Sequence, residues 1–175
     1  MNRRQLLQAS VAGGVLVALG GGYAWLHNGL DRENLTIAAA LLKLDALSGK
    51  PVASGEWTPY QIFSHAAQSV EYSMSGFPEQ KSRLFKNTAR YVAFSIFYTR
   101  GSMTHGLSEP IPGAPTLTAQ GSTEQAVARL RQAMIDFQQY QGELQPHFAY
   151  GPLSKEQYEV AHVIHLNNHL FEISS

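Results

Sequence analysis

The stretch Trp57-Thr58-Pro59-Tyr60-Gln61 is the clearest helix start in the 175-residue chain and decides its fold class. Thr58 stands where a helix N-cap is expected, and Pro59 suits the first helical position because its fixed backbone angle is already helical. Gln61 follows the cap by three residues, which completes the pattern of a capping box. The stretch therefore predicts a helix that begins after Thr58 and runs to about Ser75.

The same start pattern occurs twice more, and no stretch of the body alternates in the manner of a β-strand. Ser122-Thr123-Glu124-Gln125 and Ser154-Lys155-Glu156-Gln157 each place a serine three residues before a glutamine, so we expect two further capping boxes. Apolar residues at helical spacing predict two more helices, about Glu33 to Leu47 and about Glu79 to Thr99. Five helices are thus expected, the last of them reaching nearly to the C-terminus. Four are long enough for a bundle, so the predicted fold is an all-α four-helix bundle.

The first thirty residues differ from the rest in composition and are interpreted as a targeting segment. Arg3-Arg4 precedes an uncharged stretch whose apolar centre, Val11 to Leu26, contains five glycines. Paired arginines before a moderately apolar segment are typical of a twin-arginine export signal, and a membrane anchor is the alternative. We therefore expect residues 1–30 to be a twin-arginine-type signal or anchor, with the twin-arginine export machinery as a partner, and residues 31–175 to form the bundle. The protein is expected to be exported, either periplasmic or anchored in the inner membrane.

The charge balance and the absence of cysteine exclude several kinds of site. Lys plus Arg and Asp plus Glu number 13 each, so no basic field exists to bind phosphates, and nucleic acid is not an expected partner. Because the chain has no cysteine, thiol nucleophiles, thiolate ligands and iron–sulfur clusters are excluded. Any metal ion must be held by histidine, carboxylate or water. The sequence also lacks the motifs of serine hydrolases, P-loops and dinucleotide sites.

Histidines in the predicted last helix are the candidate metal ligands. His165 and His169 are four residues apart, the spacing with which one helical face offers two imidazoles to an ion. No carboxylate lies between them, which argues against a zinc protease of the H-E-x-x-H type. His65, in the helix after Thr58, is the best candidate for a third ligand. His162, one turn before His165, is interpreted as an exposed bystander rather than as a group that orients a ligand. Three imidazoles with an open fourth position suit zinc, nickel, iron or copper. The alternative is a set of core histidines that are satisfied by hydrogen bonds.

Several longer motifs follow one another between Asn34 and Ile173. They are Trp57-Thr58-x-x-Gln61-x-x-x-His65 with Gly76-Phe77-Pro78-x-x-Lys81; Met103-x-His105-Gly106-Leu107 with Pro110-Ile111-Pro112-Gly113-Ala114-Pro115; and His147-x-x-x-Gly151-x-Leu153-Ser154-x-Glu156, followed by His165-x-x-x-His169-Leu170. Together they resemble the DinB-like metalloenzyme superfamily, and most closely its bacterial branch with no assigned function. The resemblance implies a four-helix bundle and a metal held by His65, His165 and His169.

The chain departs from the pattern of that superfamily at two positions. Tyr158 stands where tryptophan is more frequent, and Phe148 rather than proline follows His147. These departures bear on the substrate more than on the fold. The superfamily includes thiol-dependent transferases, which activate a low-molecular-weight thiol on the metal, as well as members without a known activity, and a shared fold does not transfer a reaction.

Three functions are compatible with these residues. The first is a metal-dependent enzyme, either a thiol-dependent transferase or a hydrolase, that acts on an unknown small molecule. In that enzyme His105 or His147 would be a loop-borne acid or base. Gln61 and Glu172, each one turn from a candidate ligand, would either orient that ligand or, as we expect, face solvent. The second is a non-catalytic envelope-stress protein that binds an apolar ligand or sequesters metal. The third is a metal-free bundle that forms a homodimer. This function would require His165 and His169 to point to solvent.

Overall fold

The structure is a computed structural model, and it describes residues 34–47, 51–80 and 94–174. Four helices have both ends within these ranges: α1 (Ile37–Asp45), α2 (Pro59–Ser75), α3 (Thr123–Gln139) and α4 (Lys155–Leu170). Residues 94–100 are helical as well. Two short strands, β1 (Val52–Ala53) and β2 (Ile173–Ser174), complete the regular structure of these ranges. The described part is therefore mostly helical, in agreement with the predicted all-α class.

Parts of two sequence predictions fall outside the described residues. The expected signal or anchor, residues 1–30, is one of them. The other is the middle of the helix expected from Glu79 to Thr99, because residues 81–93 are not described. At the start of that range residues 79 and 80 are not helical, and at its end the helix of residues 94–100 stops one residue after Thr99. Gly101, with φ of 68°, marks that end. Among the described helices none has the length and hydropathy needed to cross a membrane.

Side-chain caps explain where the helices begin. Thr58 Oγ1 accepts from the Gln61 N–H (3.3 Å) and Gln61 Oε1 accepts from the Thr58 N–H (3.0 Å), so the first capping box is confirmed. The box at Ser154 is confirmed by the same reciprocal pair of bonds. The capping box expected at Ser122 forms only in part. Ser122 caps the helix, but the Gln125 side chain does not accept a hydrogen bond from the Ser122 N–H. The Ser122 hydroxyl donates instead to the charged carboxylate of Glu124 (2.8 Å). Each such cap stabilises its helix by about 1 kcal/mol.

Helix α1 begins later than its apolar pattern suggested. The expectation was a start near Glu33, whereas the helix begins at Ile37. Thr36 has extended backbone angles, and its Oγ1 accepts from the Ala39 N–H (3.2 Å). A threonine in this conformation caps a helix rather than continuing one. The start is therefore set by the cap.

Helix α2 is the most enclosed of the four. Every residue from Ile62 to Val70 is buried, because α2 packs along α3 and also contacts α4, while α1 contacts both α3 and α4. Polar side chains in this stretch, including His65 and Gln68, are therefore surrounded by protein. The shared core draws on all four helices and includes Leu44, Phe63, Leu130, Met134, Phe137, Ile164 and Leu166.

The two strands join the segment before α2 to the residues that follow α4. Val52 pairs with Ser174 and Ala53 with Ile173 in antiparallel register, and the Ser54 N–H donates to the Glu172 carbonyl (2.9 Å). Strands of two residues are too short to show an alternating pattern, which is why the sequence did not reveal them. Their pairing brings the segment before α2 next to the last turn of α4.

Candidate metal centre

Three imidazoles from α2 and α4 meet inside the protein. His65 Nε2 lies 3.2 Å from His165 Nε2, and His169 Nε2 lies 3.2 Å from the same nitrogen. The three donor atoms all lie within 4.8 Å of one another. His165 and His169 share one face of α4, as their spacing predicted, and α2 brings His65 opposite them. These three side chains, which we call the histidine cluster, can therefore hold a metal ion.

Burial keeps the histidine cluster uncharged. Loss of hydration, with a smaller contribution from His105, lowers the pKa of His65 to about 4. Burial, followed by the charges of His65 and His105, lowers the pKa of His169 to about 3. The pKa of His165 is also well below its usual value, first because the ring is buried and then because of the neighbouring histidines. Neutral imidazoles offer the lone pairs that a metal ion requires.

Hydrogen bonds alone do not satisfy the central nitrogen of the cluster. A ring nitrogen carries either one hydrogen or one in-plane lone pair, whereas His165 Nε2 faces both His65 and His169. A cation among three lone pairs removes this conflict. Tetrahedral coordination with bonds of about 2.0–2.1 Å places ligand nitrogens roughly 3.4 Å apart. The two observed separations of 3.2 Å are close to that value, so the donor set fits a metal ion.

Trp57 packs on the cluster, a contact that the sequence did not reveal. Its ring meets His65 edge-on with centroids 5.0 Å apart, and it lies parallel to His169 at 6.4 Å. Within the described ranges, the Nδ1 atoms of His65 and His169 are buried and have no hydrogen-bond partner. Metal-binding histidines are usually oriented by a carboxylate or carbonyl at that atom. Here aromatic packing orients the two rings instead. The only signal in the sequence was the position of Trp57, one residue before the cap of α2.

His105 brings a fourth imidazole to the cluster, from the loop of residues 101–121. Its ring centroid lies 4.9 Å from that of His165 and 5.1 Å from that of His169. Its Nδ1 is 2.8 Å from the Gly106 carbonyl oxygen, so Nδ1 carries the hydrogen and donates it, which leaves the lone pair on Nε2. That Nε2 is buried and has no hydrogen-bond partner in the described part of the chain. The structure therefore brings this predicted loop histidine to the cluster.

His147 organises the turn that precedes α4. Its Nδ1 accepts from the backbone N–H groups of Ala149 (3.1 Å) and Tyr150 (3.2 Å). Its backbone pairs in both directions with Gly151, whose φ of 75° favours glycine. The rings of Phe148 and Tyr150 stack on it with centroids 4.6 Å away. At least one of its nitrogens is therefore engaged in holding this turn.

His162 is buried rather than exposed. Its side chain is 3% exposed, and its Nε2 lies 3.3 Å from Ser73 Oγ on α2. Because the Ser73 hydroxyl donates to the Val70 carbonyl (2.6 Å), His162 Nε2 is the donor in this pair. Burial lowers the pKa of His162 to about 3. This histidine links α4 to α2 one turn before His165.

The side chains of Gln61 and Glu172 contact groups other than the candidate ligands His65 and His169. The Gln61 carbonyl oxygen serves the cap at Thr58, and its Nε2 donates to the Leu117 carbonyl (3.2 Å). The Glu172 carboxylate lies against Gly55, where a Cβ atom would collide with it. Neither side chain hydrogen-bonds to a candidate ligand among the described residues, and both are partly buried rather than fully exposed. The cap and the strand pairing determine where these side chains lie.

A small cavity adjoins the cluster. Its volume is about 80 Å³, and its polar lining consists mainly of imidazoles together with one carboxylate: His65, His105, His147, His162, His165 and Glu109. A larger cavity, of about 380 Å³, is lined by Lys43 and Phe171 among other described residues, none of which is a histidine. Met103 lines both cavities. The groups capable of chemistry therefore line the smaller one.

Comparison with known proteins gives a family but no reaction. Residues 28–175 match the family DUF1569, which is described as a protein of unknown function. The chain belongs to the DUF1569 family. No curated protein and no solved structure matches it. The matched range contains every histidine of the cluster and of the cavity. The candidate site therefore lies within the part of the chain that matches the DUF1569 family.

Proposed function

We propose that this DUF1569 protein is a metal-dependent enzyme with a three-histidine centre formed by His65, His165 and His169. The observation that carries the proposal is the convergence of their donor atoms, with His165 Nε2 3.2 Å from both partners. Zinc, nickel or iron in the divalent state suits three imidazole donors. Because all three ligands are neutral, a bound ion would keep its full charge and lower the pKa of a water or thiol that it binds.

The surroundings of the centre favour chemistry on a small molecule. The cavity of about 80 Å³ admits only a small substrate or the reacting end of a larger one. Among the described residues its lining includes the Glu109 carboxylate but no lysine or arginine. A low-molecular-weight thiol or a water molecule is a nucleophile of suitable size. We therefore place thiol transfer and hydrolysis first among the candidate reactions.

We infer that the two loop histidines proposed as acid or base differ in what they can do. His147 Nδ1 already accepts two backbone hydrogen bonds. His105 has an unshared lone pair on its buried Nε2. His105 is therefore the better candidate for a direct part in the chemistry.

We further infer a DinB-like four-helix bundle and an exported protein. The first inference is supported by the contacts of α1 and α2 with both α3 and α4. The second is supported by Arg3-Arg4 and the apolar segment that follows them. Fusing residues 1–30 to a reporter that is active only after export tests the second. Replacing both arginines by lysine should then abolish export, and unchanged export would contradict a twin-arginine signal.

The enzyme is distinguished from a metal-sequestering protein by measuring turnover. The purified chain is stripped with a chelator, reloaded with Zn²⁺, Ni²⁺ or Fe²⁺, and assayed with ester and amide substrates and with thiols plus an electrophile. We expect one metal to restore activity, and His65→Ala to abolish it. Stoichiometric metal without turnover on any substrate class would favour the non-catalytic ligand-binding or metal-sequestering function.

A further inference from the structure

We propose that His105 is a fourth ligand of the metal centre, supplied by the loop of residues 101–121 and displaced when substrate binds. The proposal rests on the three-histidine centre proposed above. The three-histidine centre has no protein group at its fourth coordination position, whereas here a nitrogen of His105 occupies that position in the resting state. The loop then controls whether a substrate reaches the ion.

The ring of His105 is as close to His165 and His169 as the cluster histidines are to one another. Its centroid lies 4.9 Å from His165 and 5.1 Å from His169. The three separations inside the cluster are 5.0, 5.3 and 4.9 Å. Four imidazoles around a tetrahedral ion, with bonds of about 2.0–2.1 Å, have ring centres roughly 5 Å apart. His105 therefore lies beside the corner that three histidines leave open, on the side of His165 and His169.

The tautomer of His105 is the one that a ligand needs. Its Nδ1–H donates to the Gly106 carbonyl (2.8 Å), which is the usual way in which a backbone group orients a metal-binding imidazole. The lone pair is then on Nε2, which is buried without a hydrogen-bond partner in the described residues. A buried polar atom without a partner is costly. Coordination of an ion would provide the missing interaction.

Contacts that follow His105 in the chain hold the loop close to the cluster. The Ser108 hydroxyl donates to Glu56 Oε2 (2.8 Å), and Ile111 is buried in the core at 3% exposure. Nearer its end, the Ala119 carbonyl accepts from Thr58 Oγ1 (3.3 Å). His105 is not among the donor atoms that lie within 4.8 Å of one another, so binding an ion requires its ring to move inward. A ligand on a loop can move in this way while the three helical ligands remain fixed.

The test uses Co²⁺ as the probe, because its visible absorption depends on the number and type of ligands. The purified full-length chain is titrated with Co²⁺ beside His105→Ala, His105→Gln and the control Thr104→Ala, an exposed change in the same loop. We expect His105→Ala to bind Co²⁺ about tenfold more weakly or worse, with a changed spectrum, because an oxygen replaces a nitrogen. Added imidazole should restore the parent spectrum in His105→Ala. Thr104→Ala should match the parent.

Each outcome decides between the two proposals. If the parent binds no Co²⁺, the three-histidine centre fails and the fourth ligand fails with it. If the parent binds Co²⁺ and both His105 variants bind it with the same affinity and spectrum, only the fourth ligand is overturned. Circular dichroism of each variant verifies folding, and the glutamine variant provides a second test if the alanine variant does not fold.

Discussion

His65 and His165 are one hundred residues apart in the chain, yet their Nε2 atoms lie 3.2 Å from each other. The contact joins α2 to α4 in the interior of the protein. His165 Nε2 also faces His169 Nε2 at 3.2 Å, and one ring nitrogen, with a single hydrogen or a single lone pair, cannot form a full hydrogen bond with both. A metal ion gives this arrangement a physical reason. We therefore expect these buried histidines to affect stability as well as metal binding.

Acidification should destabilise the metal-free protein through His162. In the unfolded chain this histidine takes up a proton near pH 6.5, whereas burial lowers its pKa to about 3 in the folded protein. Between these values the unfolded state binds more protons, so the free energy of unfolding falls as the pH decreases and is unaffected above pH 6.5. The slope for one such group is at most about 1.4 kcal/mol per pH unit.

His162→Gln isolates this effect because the glutamine amide can still donate to Ser73 Oγ but does not titrate. Urea unfolding of the chelator-treated protein at pH 7, 6, 5 and 4 gives the free energy of unfolding of both proteins. We expect the variant to lose less stability between pH 6 and pH 4. Parallel pH profiles of the two proteins would show that His162 titrates normally.

The two glutamines that follow the serine caps should differ in their effect on stability. Gln157 accepts from the Ser154 N–H (2.9 Å), whereas no such bond links the Gln125 side chain to Ser122. Gln157→Ala should therefore lower the free energy of unfolding by about 0.5–1 kcal/mol. Gln125→Ala is the matched control and should change it little. Thermal unfolding followed by circular dichroism compares them, and equal losses would contradict the asymmetry.

Removing one hydroxyl group should show that Tyr158 holds the turn before α4. Its side chain is fully buried, and its hydroxyl donates to the Gln145 carbonyl (2.6 Å). Tyr158→Phe leaves that carbonyl without this donor and should cost about 1–2 kcal/mol of stability. The exposed hydroxyl of Tyr98 donates to Glu156 (2.9 Å), and Tyr98→Phe should cost less than about 0.5 kcal/mol. Denaturant unfolding measures both, and a smaller loss for Tyr158→Phe would refute this role.

Trp57 should affect metal affinity without being a ligand. Its ring packs against His65 and His169, whose Nδ1 atoms have no other orienting partner in the described ranges. Trp57→Leu should weaken Zn²⁺ binding about tenfold, because both rings gain freedom. Trp57→Phe keeps an aromatic contact and should lie between the parent and the leucine variant. Calorimetric titration measures the affinities, and a folded leucine variant with parental affinity would exclude the orienting role.

Local signals in the sequence predicted the helix starts and two of the three cluster histidines. The caps at Thr58 and Ser154 depend on side chains that bond to their own backbone three residues away. The spacing of His165 and His169 places them on one face of any helix. Both predictions needed no knowledge of how the helices pack. That His65 faces them depends on packing, and the sequence could only suggest it from the apolar neighbours of His65.

The remaining features of the site depend on the path of irregular segments. His105 reaches the cluster because the loop of residues 101–121 folds over it, and Trp57 reaches it because β1 pairs with β2. Such paths are set by long-range contacts that leave no periodic pattern. His162 was misjudged as exposed for a related reason: it lies on the side of α4 that faces Ser73 of α2. One helix alone does not show which of its faces are covered.

Elemental analysis of the purified protein tests whether His65, His165 and His169 hold a metal ion. The parent is compared with His65→Ala and His169→Ala, and with His162→Gln as a buried histidine outside the cluster. We expect close to one metal ion per chain in the parent and in His162→Gln, and none in the other two variants. A parent that contains no metal, even after incubation with Zn²⁺, Ni²⁺ or Fe²⁺, would contradict the account and leave the cluster as a set of buried core histidines.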